Sequence, residues 1–167
     1  AAPLGPDQRF QPFTQTLPDG NTDDYSLPPL SGTGSLDVTA RLIDVGTASL
    51  QGFGRAVLAA DKGDIRGNGT LNMAGDLTLR SAQVYPTTLA AFDIFAYDPA
   101  GRTGSVTINS SGSGSAPLSA GGSLRVFASD IRQNGTLRAP LGCAPLALAP
   151  GGTVISSRRR SATPGPR

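Results

Sequence analysis

Few residues in this 167-residue chain are equipped for chemistry. Histidine is absent, which removes the commonest general base and metal ligand, and with it any Ser-His-Asp or Cys-His arrangement. The lone cysteine, Cys143, stands in a proline-rich stretch with no base near it and no internal disulfide partner, so it reads as an inert thiol. There is no phosphate-binding glycine loop and no calcium-binding nonapeptide. Among the acids, Asp61, Asp64 and Asp76 lie close enough to Arg66 for a stacked fold to gather them. An Asp–Arg cluster of that kind would suit a polysaccharide lyase or hydrolase, and solvated turn corners explain the same residues equally well. Asn68-Gly69-Thr70, Asn109-Ser110-Ser111 and Asn134-Gly135-Thr136 fit the N-glycosylation pattern and read as turns. The run Arg158-Arg159-Arg160 suits acidic polymers or a solvated tail, and the second is the plainer reading. The expectation is therefore a non-enzymatic chain with no catalytic, cofactor-binding or metal residue, no cofactor and no nucleic-acid partner.

Residues of this composition must be positioned by strands and turns. All twelve acids are Asp, and Lys62 is the single lysine beside thirteen Arg. Glu and Lys favour solvated helix faces, whereas Asp, Asn, Ser, Thr and Gly favour turns and strand ends. The 22 Gly and 14 Pro sit above the usual proportion, yet 38% of residues are hydrophobic and many alternate, which argues against full disorder. A GC-rich genome biases composition the same way. Charge is uneven: net −3 over 1–33, +1 over 34–138 and +4 over 139–167, so the basic pI of 9.1 comes from the tail and not from a nucleic-acid-binding face. No apolar run approaches the roughly 20 residues of a membrane helix. The start at Ala1, with neither an initiator Met nor a signal-peptide pattern, suggests a processed product or internal fragment.

The clearest signal is internal repetition. Ile65-Arg66-Gly67-Asn68-Gly69-Thr70-Leu71 recurs 66 residues on as Ile131-Arg132-Gln133-Asn134-Gly135-Thr136-Leu137, identical at six of seven positions. A glycine-led strand motif appears at Gly34–Ala40, Gly75–Ser81 and Gly122–Ala128, with shorter versions at Gly63 and Gly104. Spacings of 41, 47 and 66 fit two, two and three coils of roughly 20–23 residues each. Within each motif apolar and polar residues alternate, so Leu36 and Val38, Leu77 and Leu79, Val106 and Ile108, and Leu124 and Val126 face one side. Ile65, Leu71, Ile131 and Leu137 belong to the same repeat. The leading glycine is expected to turn a corner at φ > 0, and Asn68-Gly69 and Asn134-Gly135 are tight-turn dipeptides. Asn-Gly also suits hairpins, so an antiparallel meander is the other arrangement these turns allow. Recurrence of near-identical segments at long intervals favours stacking like upon like.

The predicted architecture is all-β: a right-handed parallel β-helix (β-solenoid) of about five coils with irregular ends. Residues 1–33, with six prolines and no alternation, form an irregular lead-in; 34–142 form the repeat body; 143–167 form a disordered basic tail. The apolar stretch Phe92-x-Ile94-x-Ala96 alternates as a strand, and a short helix is its alternative. The Ser/Gly-rich loop Asn109–Ser115 is expected to protrude and to lengthen the 47-residue interval.

Three segments carry a family likeness. Gly75–Thr88, Pro117–Leu124 and Gln133–Gly142, joined by Leu50–Gly54, resemble stretches of filamentous haemagglutinin-like exoproteins of two-partner secretion systems. The resemblance covers about residues 34–142. It implies a β-helix shaft, passage through an outer-membrane transporter partner, and display at the bacterial cell surface. There the parent protein would adhere to host or bacterial surface receptors or glycans. The expected function is thus a structural stalk segment of a secreted adhesin, with self-association through open solenoid ends. A carbohydrate-active β-helix and a truncated gene remnant are the alternatives.

Overall fold

The computed structural model describes the backbone of residues 14–16, 22–24, 29–98, 103–117, 119–142 and 146–156. Among these there is no helix. The strands are β1 (Thr14–Thr16), β2 (Thr22–Asp24), β3 (Gly34–Val45), β4 (Ala48–Leu50), β5 (Phe53–Gly67), β6 (Gly69–Met73), β7 (Asp76–Ser81), β8 (Gln83–Pro86), β9 (Ala91–Ala96), β10 (Ser105–Ser110), β11 (Ser123–Asn134) and β12 (Leu146–Ser156). The first two pair antiparallel with each other. Every pairing between the other ten is parallel. The chain therefore winds as a β-solenoid, and the antiparallel meander does not occur.

Three faces make up each coil. The first holds the leading halves of β3 and β5, then β7, β10 and the trailing half of β11. The second holds the trailing halves of β3 and β5, then β8, with Leu137 bridged to Val84. The third holds β4, β6, β9 and the leading half of β11. Strands β3, β5 and β11 are long because each turns a corner without breaking. In β3 and β11 the corner coincides with a register shift, at Ala40/Leu42 and Ala128/Asp130. In β5 it coincides with Lys62 at φ 53°.

Alternation along each face sends apolar side chains inward, where register stacks them as ladders. Leu36, Ala56, Leu77, Val106 and Ile131 form one, and Val38, Leu58, Leu79 and Ile108 the next. Ile43, Ile65, Val84 and Leu137 line the second face. Leu71, Ile94 and Val126 stack on the third, with Leu124 above Phe92. The middle rungs are sealed: Ile65, Leu77, Leu79, Val84, Phe92, Ile94, Val106, Val126 and Ile131 are buried. Each such Leu or Ile contributes about 1.5–3 kcal/mol by leaving water. At the amino-terminal end Leu36, Val38, Ile43, Ala48 and Leu50 are only partly buried, since no described rung covers them.

Several expectations need correction. The stack makes about four turns, not five, because the later turns are longer. Ile65 and Val84 lie 19 residues apart and Ala48 and Leu71 lie 23 apart, whereas Leu77 and Val106 are separated by 29 and Ile94 and Val126 by 32. Most of the extra residues precede β10, in the 97–104 connection from β9, and the rest follow it, in segment 111–122. Segment 111–122 makes no rung on the second face, and Leu137 of the next coil takes the place beside Val84. The segment does not jut into solvent; it lies back on the outside of β8, as described below.

The 41-residue spacing does equal two coils, but the other two link different faces. The Gly122 copy lies on the third face, with Leu124 on Phe92, and the true partner of Leu77 is Val106 of the Gly104 copy. Nor do Gly34, Gly75 and Gly122 have positive φ. Glycine is needed at Gly75 for close approach: a Cβ there would drive into the Gly54 carbonyl, and one on Gly54 would meet the Gly32 carbonyl. A glycine column 21–22 residues in period thus lets successive coils touch at the corner where the first face begins.

The expected boundary at 142 falls one strand early, since Leu146–Ser156 pairs parallel with β11. Within the expected lead-in, β1 and β2 pair and Leu30 accepts a 2.9 Å bond from the Gly52 amide. Residues 143–145 and 157–167, which include Cys143 and the Arg158–Arg160 run, lie outside the described residues.

Candidate functional site

The densest set of polar groups outside the core lies on the outer side of the second face. Register places Asp44, Arg66 and Tyr85 in one outward column and Leu42, Asp64 and Gln83 in another. Arg66 reaches one rung down, its Nε and Nη2 donating to Asp44 Oδ2 at 2.9 and 2.7 Å. That bond, and the Asp44 charge, hold the Arg66 guanidinium above its ordinary range. Both side chains are about half exposed, so the pair adds at most about 1 kcal/mol. Tyr85 is buried by its surroundings, which raises its phenol, and the Asp64 charge and a hydrogen bond to that carboxylate raise it further.

Gln83 is covered by the segment after β10. Its Nε2 donates to Asp64 Oδ2 at 2.9 Å and to the Ser115 carbonyl at 2.8 Å. Gly114 lies so close to the Gln83 side chain that a Cβ there would come within 2.6 Å of its Cδ. The Ser111 amide donates to the Ser81 carbonyl, the Ser111 hydroxyl to the Ala60 carbonyl, and the Ser119 hydroxyl to the Pro86 carbonyl. Residues 111–117 and 119 thus form a strap across β8, and its serines and glycines serve flat backbone contact. Under it, Gln83 Oε1 is buried without a hydrogen-bond partner, a costly arrangement for an amide oxygen.

The four residues that a lyase reading would group do not converge. Asp64 and Arg66 share the second face, with Arg66 engaged by Asp44 and Asp64 by Gln83. Asp61 lies at the corner between the first two faces, exposed. Asp76 lies outward on the first face, where its Oδ1 accepts from the Ser105 amide at 3.1 Å and the Ser105 hydroxyl at 2.7 Å, tying one coil to the next. No three of Asp, Glu, His and Cys gather to hold a metal among the described residues.

The other predicted positions are structural in placement. Ile65, Leu71, Leu77, Leu79, Val106, Ile108, Leu124, Val126 and Ile131 are core residues, and Leu36, Val38 and Leu137 pack at the core's margins. Asn68 and Asn134 are exposed at corners, followed by half-buried Gly69 and Gly135. The sequence gives no sign of a second inter-coil ion pair on the third face. Arg125 there donates through Nε at 2.6 Å, and through Nη2, to Asp93, which is largely buried. Hydrogen bonding to Asp93 raises the Arg125 guanidinium. Nor does it mark the outward aromatic cluster of Phe95, Tyr97 and Phe127, with centroids 5.9 and 5.6 Å from Phe127. Such contacts depend on which rung faces which, and a single strand does not state that.

Comparison with protein-family models, curated proteins and solved structures finds no match, so the reading of function stands on this geometry.

Proposed function

We infer that the chain is a structural stalk segment of a large secreted bacterial surface adhesin, contributing length and a repetitive surface without catalysis. The observation that supports this most is the open stack. Inner ladders run through successive coils, and at the amino-terminal end the half-covered Leu36, Val38 and Ile43 leave β3 as an edge among the described residues, a geometry that suits a shaft of stacked coils. The charged groups support the same reading, because Asp44, Arg66, Asp76, Asp93 and Arg125 are used to tie coil to coil. Secretion through an outer-membrane transporter, and adhesion to surface receptors or glycans, belong to the parent protein that the resemblance implies. Exposed edges also lead to end-to-end association of the isolated chain.

The test sets adhesion against turnover. Beads coated with the protein should adhere saturably to epithelial cells, while acidic polysaccharides incubated with it should release no new chain ends. Turnover that disappears on Asp64→Asn would replace this reading with a carbohydrate-active β-helix.

A further inference from the structure

The strap crosses the second face without joining it as a rung. The next coil already holds Val84 from that side: the Val84 amide donates to the Thr136 carbonyl at 2.9 Å, and the Arg138 amide to the Val84 carbonyl at 3.0 Å. Nor does the strap's sequence suit a rung. Residues 111–116 are serine, glycine and one alanine, with no large apolar side chain to send inward, and Pro117 has no amide to donate.

Backbone bonds tie only the two ends of the strap. The Ser111 amide donates to the Ser81 carbonyl and the Leu89 amide to the Ala120 carbonyl, both at 2.9 Å. Between these ties the described residues make no backbone–backbone hydrogen bond. Two side chains hold the span instead: Gln83 Nε2 donates to the Ser115 carbonyl at 2.8 Å, and the Ser119 hydroxyl to the Pro86 carbonyl. Gly112, at φ 131°, follows the first tie directly and gives the backbone a free pivot there.

Gln83 both fastens the strap and favours its release. With the strap down, this side chain is sealed at 1% exposure, its Nε2 satisfied twice and its Oε1 not at all. Turning the amide over gives no relief, because Oε1 would then face the Asp64 carboxylate and the Ser115 carbonyl, which are both acceptors. Lifting the strap breaks the bonds at Ser115 and Ser119 and gives Oε1 to water. The ladders beneath, Val106 on Leu77 and Leu137 beside Val84, take no part in those bonds.

We propose that the strap opens and closes as a unit while the coils under it stay wound. Each of the two holding bonds resists opening by about tenfold at most, and release of the amide oxygen offsets part of that, so the closed form exceeds the open by at most about a hundredfold. This stretch of the surface thus alternates between a flat serine-glycine cover and a bared amide, Gln83, beside the Asp64 carboxylate.

Hydrogen exchange of the Gln83 carboxamide protons in the full chain tests this, with the backbone amides of Val84, Val106 and Ile108 reporting on the coils. The carboxamide protons should be protected at most about a hundredfold, at a rate that low urea hardly alters, since opening exposes little surface. The three backbone amides should be protected about a thousandfold or more, with the steep urea dependence of global unfolding. Ser119→Ala removes the more distant holding bond and should speed the carboxamide exchange about tenfold, still with little urea dependence. Equal protection of the carboxamide protons and the Val84 amide would overturn the proposal, since strap and coil would then open together. So would a carboxamide rate in Ser119→Ala no different from the parent's, because the strap would not be moving as a unit.

Discussion

Residues 65–71 and 131–137 are nearly the same heptapeptide, yet they do different work. In the first, Ile65 ends the second face, stacked between Ile43 and Val84, and Leu71 lies on the third face. In the second, Ile131 lies on the first face above Val106, and Leu137 lies on the second beside Val84. The unit that repeats is a strand, a corner and a strand, and it serves at either of two corners. The one position that differs shows where the neighbouring coil decides. Gly67 is a buried inward position, and a Cβ there would come within 2.5 Å of the Phe92 ring, whereas Gln133 is half-buried with its Nε2 donating to the Gly135 carbonyl at 2.8 Å. The shared arginine differs too: Arg66 is held by Asp44, while Arg132 lies exposed on the first face.

Making the two copies identical breaks the comparison most sharply. Gly67→Gln forces a long side chain against fully buried Phe92 and should cost about 3 kcal/mol or more. The reverse change, Gln133→Gly, should cost only about 1 kcal/mol, from backbone freedom and one lost hydrogen bond. Urea denaturation of the two variants measures both, and equal losses would show that the copies occupy equivalent sites. A smaller asymmetry is expected at the corner glycines. Gly69 has φ 103° and crowds Thr47, whereas Gly135 lacks positive φ, though a Cβ there would come within 2.9 Å of Ile108 Cγ2 and 3.1 Å of the Asn109 backbone. Both alanines crowd a neighbour, but only Gly69→Ala adds left-handed strain, so it should lower stability by about 1 kcal/mol more than Gly135→Ala. Thermal melting followed by circular dichroism resolves the difference.

Much of the fold was legible because apolar alternation and glycine-led recurrence are local properties. They placed the strands at Gly34, Asp76 and Ala91 and the parallel stacking of Leu36 two coils below Leu77. Face assignment was not legible. Ile65 and Ile131 carry the same neighbours in sequence, and what separates them is the number of residues inserted before and after β10, in 97–104 and in the strap. The glycine column was visible as residues, but its reason was not, since the carbonyl that forbids a side chain at Gly75 belongs to Gly54. At the candidate site Asp64 and Arg66 stood out as charges, whereas Gln83 and Tyr85 gave no signal. The burial of Gln83 comes with a serine-glycine strap whose composition reads as a free loop.

Methyl-resolved nuclear Overhauser spectroscopy of the full chain tests the parallel register of the stacked coils most directly. Parallel stacking gives contacts from the Ile65 methyls to Ile43 and Val84, and from the Ile131 methyls to Val106, with none between Ile65 and Ile131. A direct Ile65–Ile131 contact, or cross-strand Hα–Hα contacts of antiparallel pairing between β5 and β7, would contradict it.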